Sequence, residues 1–506
     1  MVSQVFSMGL FGMEGFLVCC ETDVVKALPS FDIVGLADTS VRESRDRIRS
    51  VLAGLGYQVP VGKITVNLAP ADVKKAGSLY DTAILLGVLQ ASGQIACDFS
   101  GSLFVGELSL SGQLRRVNGV LPMALRAREL GFRRIFVPPE NGREAAIAQG
   151  LTVYTPGTME QLLAHLTGKA PLSPFSPVEE EASPGPALAD LADVRGQAAA
   201  RRALEVAAAG GHNMLFIGPP GSGKSMLAKR LPSILPPMSL EESVETTKVY
   251  SVAGLLGESS LVAQRPFRAP HHTISAVGVS GGGQTLKPGE VSLAHNGVLF
   301  LDELPEFRRD AMEVLRQPME SGLVTISRAA GTLSYPCSAM VVAAMNPCPC
   351  GYFGHPTRSC TCTPQAVRKY LSRVSGPLLD RMDLHVEVMP VEFGQLNSPQ
   401  PGESSAAVRQ RVLAARERQG ARLAGSGASC NAQIPPALLN ALCPLSEPAR
   451  ELLGMAFDRL GLSGRAYDRI LKVARTIADL AGEDVIQREH IAEAVQYRSL
   501  DRKYWG

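Results

Sequence analysis

The chain has 506 residues, 45% of them hydrophobic and 19% charged, with ten cysteines and a formal net charge of +2. That length exceeds what one hydrophobic core serves, so two to four domains are expected. The near-balance of charge excludes a global electrostatic pull toward nucleic acid or a membrane, so any polyanion contact must come from a local basic surface or a pore made by assembly.

Glu14 interrupts the apolar N-terminus and the first basic residue is Lys26, which is not the pattern of an export signal. No apolar run approaches the roughly eighteen residues that cross a bilayer. Without export, the cysteines read as thiols or metal ligands rather than disulfides, and a cytoplasmic protein is expected. Residues 1–168 alternate strand-like runs (Ile64-Thr65-Val66-Asn67, Ser102-Leu103-Phe104-Val105) with helical ones (Tyr80 to Gln90, Val120 to Leu130), which predicts an α/β domain. Residues 169–188, rich in Pro and Ser with an acidic run at Glu179 to Glu181, read as an exposed linker. Residues 189–392 carry the chemistry. Residues 393–506 show helical periodicity, as in AAVRQRVLAARERQ and GRAYDRILKVARTIADLAG, and predict an all-helical lid. No internal repeat is evident.

Within 189–392, GPPGSGKS (Gly218, Pro219, Pro220, Gly221, Ser222, Gly223, Lys224, Ser225) matches the whole G-x-x-x-x-G-K-[ST] pattern. It follows the apolar strand Met214 to Ile217 and precedes the helix-like MLAKRL, the context the motif requires. Glycines let backbone N–H groups wrap a polyphosphate, Lys224 reaches the β- and γ-phosphates, and the Ser225 hydroxyl binds Mg²⁺. The chain is therefore expected to bind a nucleoside triphosphate. About 80 residues later, Val298-Leu299-Phe300-Leu301 ends in Asp302-Glu303. Asp302 would hold Mg²⁺ through water, and Glu303 would act as general base on the attacking water. A further strand, Met340 to Met345, ends in Asn346, which orients that water, senses the γ-phosphate, or merely caps the strand before Pro347.

Two insertions follow different logic. Residues 271–290 contain GVSGGGQTLKPGE and read as a flexible, polar, Gly-rich loop. Residues 323–336 alternate and turn at Ala329 to Gly331, which predicts a β-hairpin. Cys348-x-Cys350 and Cys360-x-Cys362 form two C-x-C arms nine residues apart. Four thiolates at Cys348, Cys350, Cys360 and Cys362 suit tetrahedral Zn²⁺, with His355 as a substitute ligand; reduced thiols or a disulfide remain the competing readings.

Taken in order, DVRGQ (Asp193 to Gln197), the P-loop, RPFRAPHHTIS (Arg265 to Ser275), GVLFLDELPEF (Gly297 to Phe307), RQPMESG (Arg316 to Gly322), NPCPCG (Asn346 to Gly351), SGPLLDRMDLHVEV (Ser375 to Val388) and SGRAYDRILKVARTIADLAG (Ser463 to Gly482) resemble an AAA+ ATPase. More narrowly, they resemble the magnesium-chelatase-like group and its ComM/YifB family. The resemblance covers nearly the whole chain. It implies a Lon-protease-like α/β domain at 1–168, a P-loop αβα core with a parallel sheet at 189–392, and the helical lid. It implies ATP and Mg²⁺, and Val194 and Gln197 beside the adenine. Arg381 is implied as the arginine finger inserted into a neighbouring subunit, and Arg465 as the lid arginine that reads the γ-phosphate, although Arg469 lies one turn away. Both insertions are implied to project into a ring's central channel. There Lys287 and Arg328 either contact nucleic-acid phosphates or are ordinary exposed charges.

Three functions compete at this level. The first is a hexameric ATP-driven motor on branched or single-stranded DNA, with branch migration in recombination or natural transformation as the family-level role. The second is a chelatase-like ATPase that remodels a protein partner. The third is an ATP-dependent peptidase. It is disfavoured because Ser78 is not where a Lon serine stands, no lysine occupies the dyad position, and nothing shows Lys74 or Lys75 pointing at Ser78. A non-catalytic platform with a basic tilt from Arg115, Arg116, Arg126, Arg128, Arg133 and Arg134 is expected instead.

Overall fold

A computed structural model describes residues 2–176, 188–257, 261–283, 286–328, 331–391 and 402–505. The linker core at 177–187, the tip of the Gly-rich loop at 284–285, the hairpin turn at 329–330 with the Arg328 side chain, and the 392/393 boundary lie outside the described residues. The chain forms two compact units: Met1–Ser183 with Leu240–Val262, and Pro184–Ser239 with Ala263–Gly506.

In the first unit, the hairpin Ser3–Phe11/Glu14–Val25 continues antiparallel into Lys63–Ala69, and Ser30–Val34 joins that strand in parallel at the edge. A second, three-stranded parallel sheet comprises Ser102–Phe104, Arg134–Phe136 and Thr152–Tyr154. The helix Asp81–Ala91 buries every residue except Gln90, as its unbroken apolar run requires. Its N-terminal Asp81 accepts from Ser44, from Arg47 Nε at 2.7 Å and from the Leu108 amide at 3.1 Å, so the buried carboxylate is satisfied.

The units depart from the boundaries read off the sequence in two places. Leu240–Val262, read as part of 189–392, belongs to the first unit: helix Leu240–Ala253 packs on helix Val120–Glu129, where the Ser251 hydroxyl donates to Glu144 and the Gly119 amide donates to Ser251 O. Of residues 393–506, read from the sequence as a separate lid, the described part, 402–505, shares one core with the sheet; Ile470, Val473, Ala474 and Ile477 of helix Gly464–Ala481 join Leu204, Met214 and Phe216. An amphipathic helix with so wide an apolar face cannot stand alone in water.

The second unit is built on five strands in the spatial order Phe267–Arg268, Val298–Leu301, Met340–Met345, Met214–Ile217, Leu384–Glu387, all parallel. Every residue of Met214–Ile217, Val298–Leu301 and Met340–Met345 is buried. Central parallel strands read as continuous apolar runs because both faces are covered. Strands Leu323–Arg328 and Gly331–Pro336 pair antiparallel, as the alternation predicts. The Gly-rich segment, expected to be flexible, instead forms helix Ala276–Ser280 capped by Ser275 and a short ladder of Gly281–Gly282 with Lys287–Pro288. A Cβ on Gly289 would lie 2.2 Å from the Gly281 amide nitrogen, so glycine is what lets the two backbones meet.

Candidate ATPase site

The strand order explains the site. Met340–Met345 lies between the P-loop strand and the Asp302 strand, so the C-terminal ends of three adjacent strands deliver the P-loop, Asn346 and Asp302 to one place. Gly218 cannot be another residue, since its Cβ would sit 2.1 Å from Val388 O; Gly221 and Gly223 hold φ of +76° and +93° to curl the loop. Lys224 then starts helix Lys224–Ala228 with its side chain folded back into the loop. Its Nζ donates to Gly218 O at 2.7 Å, Pro219 O at 2.9 Å and Asn346 Oδ1 at 3.1 Å. Burial pushes the ammonium down to about 8, while Asp302 and Glu303 pull the other way.

Ser225 Oγ donates to Asp302 Oδ2 at 2.6 Å. A hydroxyl and a carboxylate so placed fit a hard divalent cation with oxygen ligands. Glu303 follows in a left-handed conformation (φ +53°), which turns its exposed side chain away from the strand direction. Its Oε2 lies 3.2 Å from His272 Nδ1, and the His272 ring packs against His271 and the edge of Phe307. Sequence reasoning missed His272 as a partner of Glu303; its only trace was HH inside RPFRAPHHTIS.

The residues implied to lie beside the adenine are held by the chain's own packing. Val194 is fully buried in the core. Gln197, at φ +54°, donates from Nε2 to Ser222 O at 3.2 Å and Met389 O at 2.5 Å, so it braces the P-loop. Arg381 lies elsewhere again. Its hydrogen bonds go to Pro377 O at 2.6 Å and to Glu320, not to the phosphate site, and the side chain is 8% exposed against 58% for Glu320. Arg465 is exposed in the first turn of its helix. Arg469, the alternative, donates to Asp383 Oδ1 at 2.9 Å.

Asp383 is a hub that sequence reasoning did not find. It also accepts from the Asn213 amide at 3.2 Å and faces His212 Nδ1 at 3.3 Å, while His212 Nε2 meets Thr476 at 2.8 Å. Burial would raise this carboxyl, but His212, Arg469 and Lys472 hold it down at about 2. Two residues after Arg381, it fastens this segment to the P-loop strand and to helix Gly464–Ala481.

The four cysteines of the C-x-C arms converge. Cys348 Sγ is 3.4 Å from Cys350 and 3.6 Å from Cys360, and all four thiols lie within 4.8 Å of one another, an arrangement that could hold a metal ion. His355, offered as a substitute ligand, instead accepts the Thr357 and Arg358 amides at Nδ1. None of the ten cysteines is in a disulfide. In the first unit, the Ser78 hydroxyl donates to Glu107, whereas Lys75 Nζ is buried with no hydrogen-bond partner among the described residues, and burial lowers its pKa. Several arginines of the expected basic surface are engaged within that unit: Arg126 with Glu129, Arg128 with Gln149 O, Arg134 with Ser100 O and Arg116 with Leu256 O. Tyr335 of the hairpin donates to Leu286 O at 2.6 Å, tying the two insertions together beside the exposed Lys287. No helix among the described residues is long and apolar enough to cross a membrane.

Known proteins share this arrangement of blocks. The family described as magnesium chelatase, subunit ChlI, matches residues 190–396, subunit ChlI of Mg-chelatase matches 20–141, and the ChlI C-terminal family matches 402–498. YifB of Escherichia coli (strain K12) is 44% identical over 505 residues, 99% of this chain and 98% of its own. Competence protein ComM of Haemophilus influenzae is 44% identical over 504 residues, 98% of this chain and 97% of its own. A YifB of Salmonella typhimurium is 43% identical over 494 residues, covering 97% and 96%. With the P-loop, the Asp302–Glu303 strand and Asn346 gathered on one parallel sheet, similarity along the whole length means that the chain belongs to the ComM/YifB family of magnesium-chelatase-like AAA+ ATPases.

Proposed function

We propose that the protein is an ATP-driven, ring-forming motor that acts on DNA, as a homohexamer that migrates branched intermediates during recombination or natural transformation. The family implies ATP and Mg²⁺. Lys224 meets the β- and γ-phosphates, Ser225 and Asp302 hold the Mg²⁺, and Asn346 orients the attacking water. Glu303 takes the proton from that water. Bound Mg²⁺ supplies charge neutralisation on the phosphate oxygens.

One observation carries the ring. The phosphate cradle, both carboxylates and Asn346 stand together, yet Arg381 is bonded to Pro377 and Glu320 outside them. A finger supplied in trans completes such a centre and is worth about 10³ to 10⁵ in turnover. Arg465, exposed on the lid while Arg469 is engaged by Asp383, serves as the lid arginine that reads the γ-phosphate. The DNA reading is supported by the joined insertions with exposed Lys287, which a ring would repeat around its channel, and by the relative named for competence. ATP turnover with and without branched or single-stranded DNA tests it. Stimulation by DNA is expected; no stimulation together with no DNA binding at low salt overturns the DNA assignment, and stimulation by a co-purifying protein instead favours the remodelling ATPase. We assign Zn²⁺ to Cys348, Cys350, Cys360 and Cys362, closing a loop with little apolar core. We place the protein in the cytoplasm.

A further inference from the structure

The knuckle that carries the two cysteine arms meets the phosphate loop at Gly351. Gly351, in NPCPCG, holds φ +85° and is buried, with its amide donating to Cys348 O at 3.0 Å. A Cβ built on it would lie 2.4 Å from Cδ and 2.7 Å from Cγ of Pro220, the residue just before the P-loop's Gly221. The same segment leaves the sheet through Asn346, whose Oδ1 meets Lys224 Nζ at 3.1 Å, and reaches buried Cys348 two residues later. The knuckle therefore touches the cradle twice, through the chain at Asn346 and through Gly351 at Pro220.

We propose that Gly351 is a positioning residue for the P-loop, so that the knuckle acts as a buttress setting the shape of the phosphate cradle and thereby nucleotide affinity. Carbon–carbon contacts settle near 3.5 to 4 Å, so one added methyl must displace Pro220, or the knuckle, by about 1 Å. Misplacement of that size in a preorganised site costs up to about a hundredfold. Pro220 is exposed and directly precedes Gly221, so a shift of its ring carries into the loop backbone. The proposal rests on the ATP-binding reading of the P-loop, and the test keeps the two apart.

The measurement is the affinity for a fluorescent ATP analogue with Mg²⁺, using full-length protein, alongside metal content and melting temperature. Gly351→Ala is expected to weaken binding about tenfold or more. Gly354→Ala, also at positive φ (+76°) but with only the end of the Lys503 side chain near its Cβ, is the control for backbone strain and is expected to bind as wild type. The Pro220→Ala/Gly351→Ala double variant removes the obstructing ring atoms and is expected to recover most of the affinity, and the fold should Gly351→Ala lose it. Unchanged affinity in Gly351→Ala, equal loss in Gly354→Ala, or no recovery in the double variant overturns the proposal. Failure of the wild type itself to bind the analogue sinks the ATP site instead.

Discussion

Replacing Lys224 by Met sets two opposed terms against each other, and their sizes can be read from the site. The wild-type ammonium is displaced from an ordinary 10.5 to about 8, chiefly by burial, which corresponds to about 3 kcal/mol against the charged form. Lys224→Met removes that cost. It also removes the donor to Gly218 O, Pro219 O and Asn346 Oδ1, each hydrogen bond to a charged group being worth about 1.5 to 3 kcal/mol. Together the three are worth about 4.5 to 9 kcal/mol, which exceeds the relieved cost by about 1.5 to 6 kcal/mol, so the nucleotide-free melting temperature is expected to fall by about 3 °C or more. With ATP analogue at about a hundredfold over its Kd, the wild type gains about 2.7 kcal/mol, a rise of about 5 to 10 °C, whereas Lys224→Met gains none. The pH dependence has a definite sign. Because the folded pKa lies below the unfolded one, the penalty is fully present below pH 8 and relieved as pH rises from 8 to 10.5, so the wild type gains on Lys224→Met across that window. Differential scanning fluorimetry at several pH values reads all three quantities. A nucleotide-free melting temperature that is unchanged or raised, a retained ATP shift, or a flat difference between pH 8 and 10.5 would refute the reasoning.

Glu303→Gln is expected to keep nucleotide binding while turnover falls about 10² to 10⁴-fold, measured by phosphate release. His272→Ala frees Glu303 Oε2 from its 3.2 Å partner, so basal turnover is expected to rise severalfold at unchanged KM; a fall in nucleotide affinity instead would contradict a role at the base alone. Asp383→Asn removes the charge that faces His212 and Arg469, at a cost of about 3 to 5 kcal/mol near neutral pH. Since this carboxyl is depressed from 3.8 to about 2, its contribution is present above pH 3.8 and lost as pH falls toward 2, so acid titration of both proteins should bring their stabilities together. Protein purified without added zinc should carry close to one equivalent per chain, and Cys350→Ser should lose it; less than about half an equivalent in the wild type contradicts the metal assignment.

Much of this site is legible locally. GPPGSGKS between an apolar run and a helix, and an apolar run ending in Asp302-Glu303, each announce themselves within ten residues. Asn346 needed the strand order, because only its position between the other two strands separates a site residue from a strand cap. The missed residues share a cause. His272 with Glu303, Glu320 with Arg381, and Asp383 with Arg469 are pairs separated by 31, 61 and 86 positions, and single-chain periodicity carries no signal for such meetings. The two departures in how the units divide have a related reason. Helix Leu240–Ala253 looks like any helix of an αβα core, and only its packing on Val120–Glu129 shows where it belongs. The Gly-rich loop misled through composition: glycines read as flexibility, whereas Gly281 and Gly289 permit a close backbone crossing.

The central claim is that each hydrolytic centre is divided between neighbouring copies, and mixing two inactive proteins tests it most directly. Lys224→Ala lacks the cradle's cation but keeps Arg381; Arg381→Ala lacks the guanidinium but keeps the cradle. Each alone should be nearly inert, and their mixture should regain a measurable fraction of wild-type ATP turnover at interfaces that join one good half from each. No recovery on mixing, or wild-type turnover by Arg381→Ala alone, would contradict the account.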